Sequence, residues 1–96
     1  MRRRTFLSHD LLGPSVVDVS ITFCVPCRFQ QKAIQDADAI LKEFGRRLAS
    51  VRLVTGDDGV YDVAVDGRVI YSLDEEQRFP ETNVLIARIR ERLPDA

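Results

Sequence analysis

Ninety-six residues, 45% apolar and 30% charged, suit one globular domain with a core that needs no covalent staples. A formal charge of −1 points to neither nucleic acid nor an anionic membrane, and no apolar run approaches the ~20 residues of a bilayer span. Two cysteines in a chain that can fold without them argue against a secreted disulfide scaffold.

The chain opens with "RRRTFLS" (Arg2 to Ser8), which looks like a twin-arginine export signal. Such a signal needs an apolar segment next, and His9, Asp10, Gly13 and Pro14 break it here. Residues 1–15 are therefore expected to be a disordered or extended leader, or a mis-assigned start. Residues 16–96 are expected to form the single domain, in the cytoplasm.

From Val17 the alternation is strict. Val17, Val19, Ile21 and Phe23 point one way, and Asp18, Ser20 and Thr22 the other, which predicts a strand with one buried face. After Pro26 the period changes. Phe29, Ala33, Ala37, Ile40, Leu41, Phe44 and Leu48 recur at three- and four-residue steps, predicting an amphipathic helix. Gln30, Gln31, Lys32, Gln35, Asp36, Lys42 and Glu43 are assigned to its wet side, and Gly45 to its stop.

Residues 50–56 read as a second strand, and residues 59–73 as a hairpin turning at Asp66-Gly67. Residues 78–93 predict a closing helix, with Pro80 suited to its entry and Pro94 ending it. The order is β-α-β-β-β-α. Strands one and two should be parallel, joined by a right-handed crossover. Strand three can turn back beside strand two, which local rules favour, or step over strand one, which the reach of the link allows. Asp18, Ser20 and Thr22 would share a polar face with Asp62, Ala64 and Asp66, so both helices must cover the opposite face.

Cys24 and Cys27 fall where the first strand stops and the helix starts. Unpaired amides and the macrodipole at a helix start stabilise a thiolate, the form that attacks disulfides. Two sulfurs three residues apart there can reach bonding distance. Pro26 has no amide to waste in a first turn, and Arg28 adds positive charge. This suits thiol–disulfide exchange, in which one sulfur attacks and the other resolves the mixed disulfide. A zinc half-site lacks further ligands, since the only histidine is His9. Inert core cysteines would have to be buried, which the strand-end position argues against, and an iron–sulfur cluster needs more cysteines than this chain has.

Three stretches, "ITFCVPCRFQQKA", "GVYDVAVDGRVIYS" and "RFPETNVLIARIRERL", together resemble the selenoprotein W/T/H redox family, over nearly all of residues 16–93. The resemblance rests on the strand-end CxxC, the Gly-x-aromatic-Asp-Val-x-Val-x-Gly hairpin and the Phe79-Pro80 pair before the last helix. It implies a thioredoxin-like α/β fold: a two-layer sandwich with a four-stranded mixed sheet in the order 2-1-3-4. It also implies an oxidoreductase role with Cys24 and Cys27 as the dithiol, and a glutathione link, making glutathione a candidate reductant with no cofactor bound. Selenoprotein members carry selenocysteine at the position of Cys27. Exposure and helix field, by contrast, favour Cys24 as the outer, attacking sulfur. Thioredoxins set a proline beside their cysteines; none precedes Gly59 here, and in the 2-1-3-4 order the Thr55 to Gly59 loop fills that place. Asp57 and Asp58 would then stand near the sulfurs and oppose thiolate formation.

Phe79 and Pro80 either flank the cysteines or staple the last helix. Arg88, Arg90 and Arg92 read as a solvated surface, and Tyr61 and Tyr71 as packing residues. The expected function is a small thiol–disulfide oxidoreductase acting on a protein disulfide or thiol, as a monomer or weak homodimer. A redox-gated binding adaptor and a weak thiol peroxidase are its rivals.

Overall fold

The computed structural model describes residues 16–94, so the leader expected over residues 1–15 lies outside the described residues. The elements are β1 (Val17–Cys24), α1 (Gln30–Phe44), a 3-10 turn (Gly45–Arg47), β2 (Leu48–Gly56), β3 (Tyr61–Val65), β4 (Arg68–Ser72), a short α2 (Leu73–Glu76) and α3 (Thr82–Arg92). No helix among them is long and apolar enough to cross a membrane.

The sheet runs in the order β2-β1-β3-β4. β1 is parallel to β2 and antiparallel to β3, and β3 and β4 form the hairpin. Strand three therefore steps over strand one, which makes β1 central. Alternation decides the two faces. Val19, Ile21, Tyr61 and Val63 turn inward and are fully buried with Ala33 and Ile40 of α1 and Leu85 and Ile89 of α3. The two helices pack on this face and against each other. The other face carries Ser20 opposite Ala64 and Thr22 opposite Asp62, as the polar alternation requires.

Local chemistry explains the joints. Gly45 closes α1 at φ 53°, in the left-handed region. Asp66 and Gly67 both have positive φ, 50° and 82°, which a two-residue hairpin turn demands. Asp18 reinforces that turn: its amide donates to Asp66 Oδ1 at 2.9 Å and its carbonyl accepts from the Asp66 amide at 2.7 Å.

Several expectations shift. β2 begins at Leu48, so Leu48 belongs to the sheet and not to the helical stripe. α1 begins at Gln30, which leaves Cys27 outside the helix. α3 begins at Thr82 with Glu81 as its N-cap, so residues 78–81 lie outside the helix and Pro80 stands at its entry. Asp36, assigned to the wet side, is fully buried. The short α2 has no counterpart in the sequence reading; it caps the hairpin before the chain enters α3.

Candidate functional site

The two cysteines are held by a tight turn. The Arg28 amide donates to the Val25 carbonyl at 3.0 Å, which places Pro26 at the second position of a four-residue turn. Proline's fixed φ suits that position, so Pro26 serves the turn and not a helix start. Arg28 then takes φ 66° and Phe29 φ −83° before α1 begins. Within this turn Cys24 and Cys27 are disulfide-bonded, with Cα atoms 5.3 Å apart.

The loop between β2 and β3 clasps the first cysteine. The Cys24 amide donates to the Val60 carbonyl at 2.8 Å, and the Val25 amide to the Gly56 carbonyl at 3.0 Å. Gly56 lies opposite Cys24 in the parallel pair. A Cβ there would lie 2.8 Å from Val60 Cγ1 and 3.2 Å from Thr22 Cγ2, so only glycine lets the loop close this tightly. The loop thus lies against Cys24, as the 2-1-3-4 order leads one to expect. Asp57 and Asp58 line a separate cleft with Asp62 and Asp74, and neither cysteine belongs to that cleft.

Burial separates the two sulfur positions. Cys24 is 0% exposed, whereas Cys27 is exposed. The expectation of an outer Cys24 is overturned. Alternation alone would leave Cys24 on the open sheet face, but the turn and the 56–60 loop close over it. Cys27, at the third turn position, faces solvent.

Cys27 opens onto a groove of about 480 Å³ that also includes Arg28, Phe29, Lys32 and Phe79. Phe79 packs edge-on against Phe29 at 4.8 Å and Tyr61 at 5.5 Å, yet stays 41% exposed. Phe79 therefore flanks the cysteines, while Pro80 beside it is buried. Val25, 44% exposed, adds a second apolar side chain at the turn. α1 has no side-chain cap and no acidic residue in its first turn, so its positive end is uncompensated where Gln31 and Lys32 meet the groove.

Beneath the aromatic residues lies the buried carboxylate that the sequence reading missed. Asp36 accepts from the Tyr61 hydroxyl at 2.6 Å, from Lys32 Nζ at 2.9 Å and from the Thr82 hydroxyl at 3.0 Å. Desolvation, reinforced by this carboxylate, pushes the Tyr61 hydroxyl far above the ordinary tyrosine range. The spacing held the clue. Asp36 lies three residues after Ala33 and four before Ile40, on the apolar stripe, with a lysine four residues upstream.

Two of the three late arginines are also more than solvated surface. Arg88 donates to Glu76 Oε2 at 2.8 Å and to the Ile70 carbonyl at 2.9 Å, with its guanidinium 5.0 Å above the Tyr71 ring. Arg90 pairs with Glu43. Among the described residues, no three or more His, Cys, Asp or Glu side chains gather as a metal site would require.

Comparison with known proteins agrees with this geometry. The Rdx family pattern matches residues 18–91. A crystal structure of a protein from Bordetella parapertussis is 31% identical, with a TM-score of 0.79 over 81% of this chain and 99% of that one. A selenoprotein W-related protein from Vibrio cholerae shares the fold, with a TM-score of 0.80 at 23% identity over 82% and 99% of the two chains. Mouse "Migration and invasion enhancer 1" is 28% identical over 76 residues, covering 79% of this chain. The chain spans 64% of that relative's length. The architecture is the thioredoxin-like sandwich, and a cysteine pair on it supports a thiol-redox role. From β1 to α3, this chain belongs to the Rdx family.

Proposed function

We propose that the chain is a small thiol–disulfide oxidoreductase in which Cys27 attacks and Cys24 resolves. The observation that carries this reading is the unequal burial of two bonded cysteines: Cys27 is exposed and Cys24 is sealed. Arg28 and the open positive end of α1 favour a thiolate at Cys27. Cys24 is desolvated and cannot meet a protein substrate, but it is already within bonding reach of Cys27. In the reducing direction, the Cys27 thiolate attacks a substrate disulfide and one substrate thiolate leaves, taking a proton from water. The Cys24 thiolate then attacks the Cys27 sulfur, displacing the second substrate thiolate and closing the disulfide. Two electrons pass from the dithiol to the substrate, and two equivalents of a thiol such as glutathione restore the dithiol and leave as its disulfide.

The test is reduction of a protein disulfide by the pre-reduced chain, with single cysteine variants. Cys24→Ser should accumulate a mixed disulfide through Cys27, and Cys27→Ser should react at least about 100-fold more slowly. Trapping through Cys24 instead would overturn the assignment. Absence of turnover, with partner capture that depends on redox state, would favour the adaptor reading.

A further inference from the structure

The surface changes character from one side of the disulfide to the other. On the Cys27 side the groove joins the exposed ring of Phe79 to Arg28 and Lys32, and includes no carboxylate residue. Lys32 is largely committed, since its ammonium is held by buried Asp36. Arg28 is bound to no carboxylate among the described residues. On the other side, the loop bonded to Cys24 and Val25 carries Asp57 and Asp58 into an acidic cleft with Asp62 and Asp74. The exposed sulfur thus opens onto an apolar and cationic groove, while the acidic cleft is a separate surface.

We propose that the groove seats the segment flanking the target cysteine of a protein disulfide, with an apolar side chain on Phe79 and a carboxylate on Arg28. This rests on the oxidoreductase reading and names its substrate class: a protein cysteine with an apolar residue and an acidic residue on one flank. Complementary charge chiefly raises encounter rate and fixes orientation, and both fade with salt. Orientation matters here because exchange needs the attacking sulfur in line with the scissile bond.

The experiment uses single-cysteine peptides activated as 2-pyridyl disulfides, whose leaving group, 2-thiopyridone, is neutral. The full chain is first reduced with dithiothreitol, which is then removed. Cys27 attacks the peptide sulfur, 2-thiopyridone leaves, and Cys24 releases the peptide thiol, so each turnover oxidises one dithiol. The peptides carry Phe with Glu, Phe with Gln or Phe with Lys, placed before or after the cysteine; the pyridyl disulfide of glutathione is a further arm. One of the two Glu placements should react about tenfold faster than its Lys counterpart at low salt, and the difference should shrink toward parity at high salt. Arg28→Glu should invert that ratio. The ratio is unaffected by any change in the intrinsic reactivity of Cys27, and Glu meets the same φ at this position as Arg does.

Equal rates for Glu, Gln and Lys peptides would overturn the proposal while leaving the oxidoreductase reading intact. A glutathione arm faster than every peptide would overturn it too, making the small thiol the occupant. No reaction with any substrate would sink both readings.

Discussion

A carboxylate without solvent contact needs its charge answered locally, and Asp36 draws its partners from three elements: Lys32 on its own helix, Tyr61 on β3 and Thr82 at the start of α3. Removing one member of such a set leaves the others desolvated and unpaired, which costs more than the bonds themselves contribute. Asp36→Ala is therefore expected to cost about 3 kcal/mol and Tyr61→Phe about 1–2 kcal/mol. The double variant should cost less than the sum by about 1 kcal/mol, as urea unfolding of all four proteins can show. Strict additivity would mean that the two side chains do not share a network. Sequence reading failed at this residue because a charged side chain on an apolar stripe was given to water by type, not by spacing. It failed again at Cys24, where alternation within the strand says nothing about a loop closing over it. The residues it read correctly, Gly45, Asp66 and Gly67, are those whose backbone demands are local.

At the scale of elements, the link between β2 and β3 does two jobs. It carries the chain across β1, and its Val60 carbonyl receives the Cys24 amide. Gly56→Ala should press the new methyl against Val60 and Thr22 and push this link outward, costing about 1–3 kcal/mol. The same substitution should cost markedly less in a Val60→Ala background, because the nearer obstacle is gone. An equal cost in both backgrounds would place the strain elsewhere. The parallel pairing of β1 and β2 was legible from the strand-helix-strand order, but the step across β1 was not. Four residues are long enough for either path, so reach leaves two sheets open and only the resemblance favours the observed one.

For the whole molecule, titratable pairs bound stability on both sides of neutrality. The Arg88 guanidinium holds the Glu76 carboxyl below the usual carboxylate range. A lowered folded value means this contribution is present above the unfolded value and is lost as pH falls through the folded one. Tyr61, buried beside Asp36, is shifted upward, and Tyr71 is raised too, chiefly by burial. Raised folded values give stability that is present below the ordinary tyrosine range and lost as pH rises beyond it. Unfolding free energy should thus decline from about pH 10 upward, Tyr61 contributing a limiting slope of about 1.4 kcal/mol per pH unit. Tyr61→Phe should flatten that decline. A variant as alkali-sensitive as the parent would show that Tyr61 is not the group responsible.

The disulfide spans only three positions of chain. A crosslink that short withdraws far less freedom from the unfolded polypeptide than one tying distant segments together. The β-sheet hydrogen bonds, the aromatic cluster and the Asp36 contacts do not run through this bond, so they are expected to survive its opening. If the pair cycles as proposed, the architecture is therefore not at stake when the bond opens and closes, because so little of the fold's order depends on it.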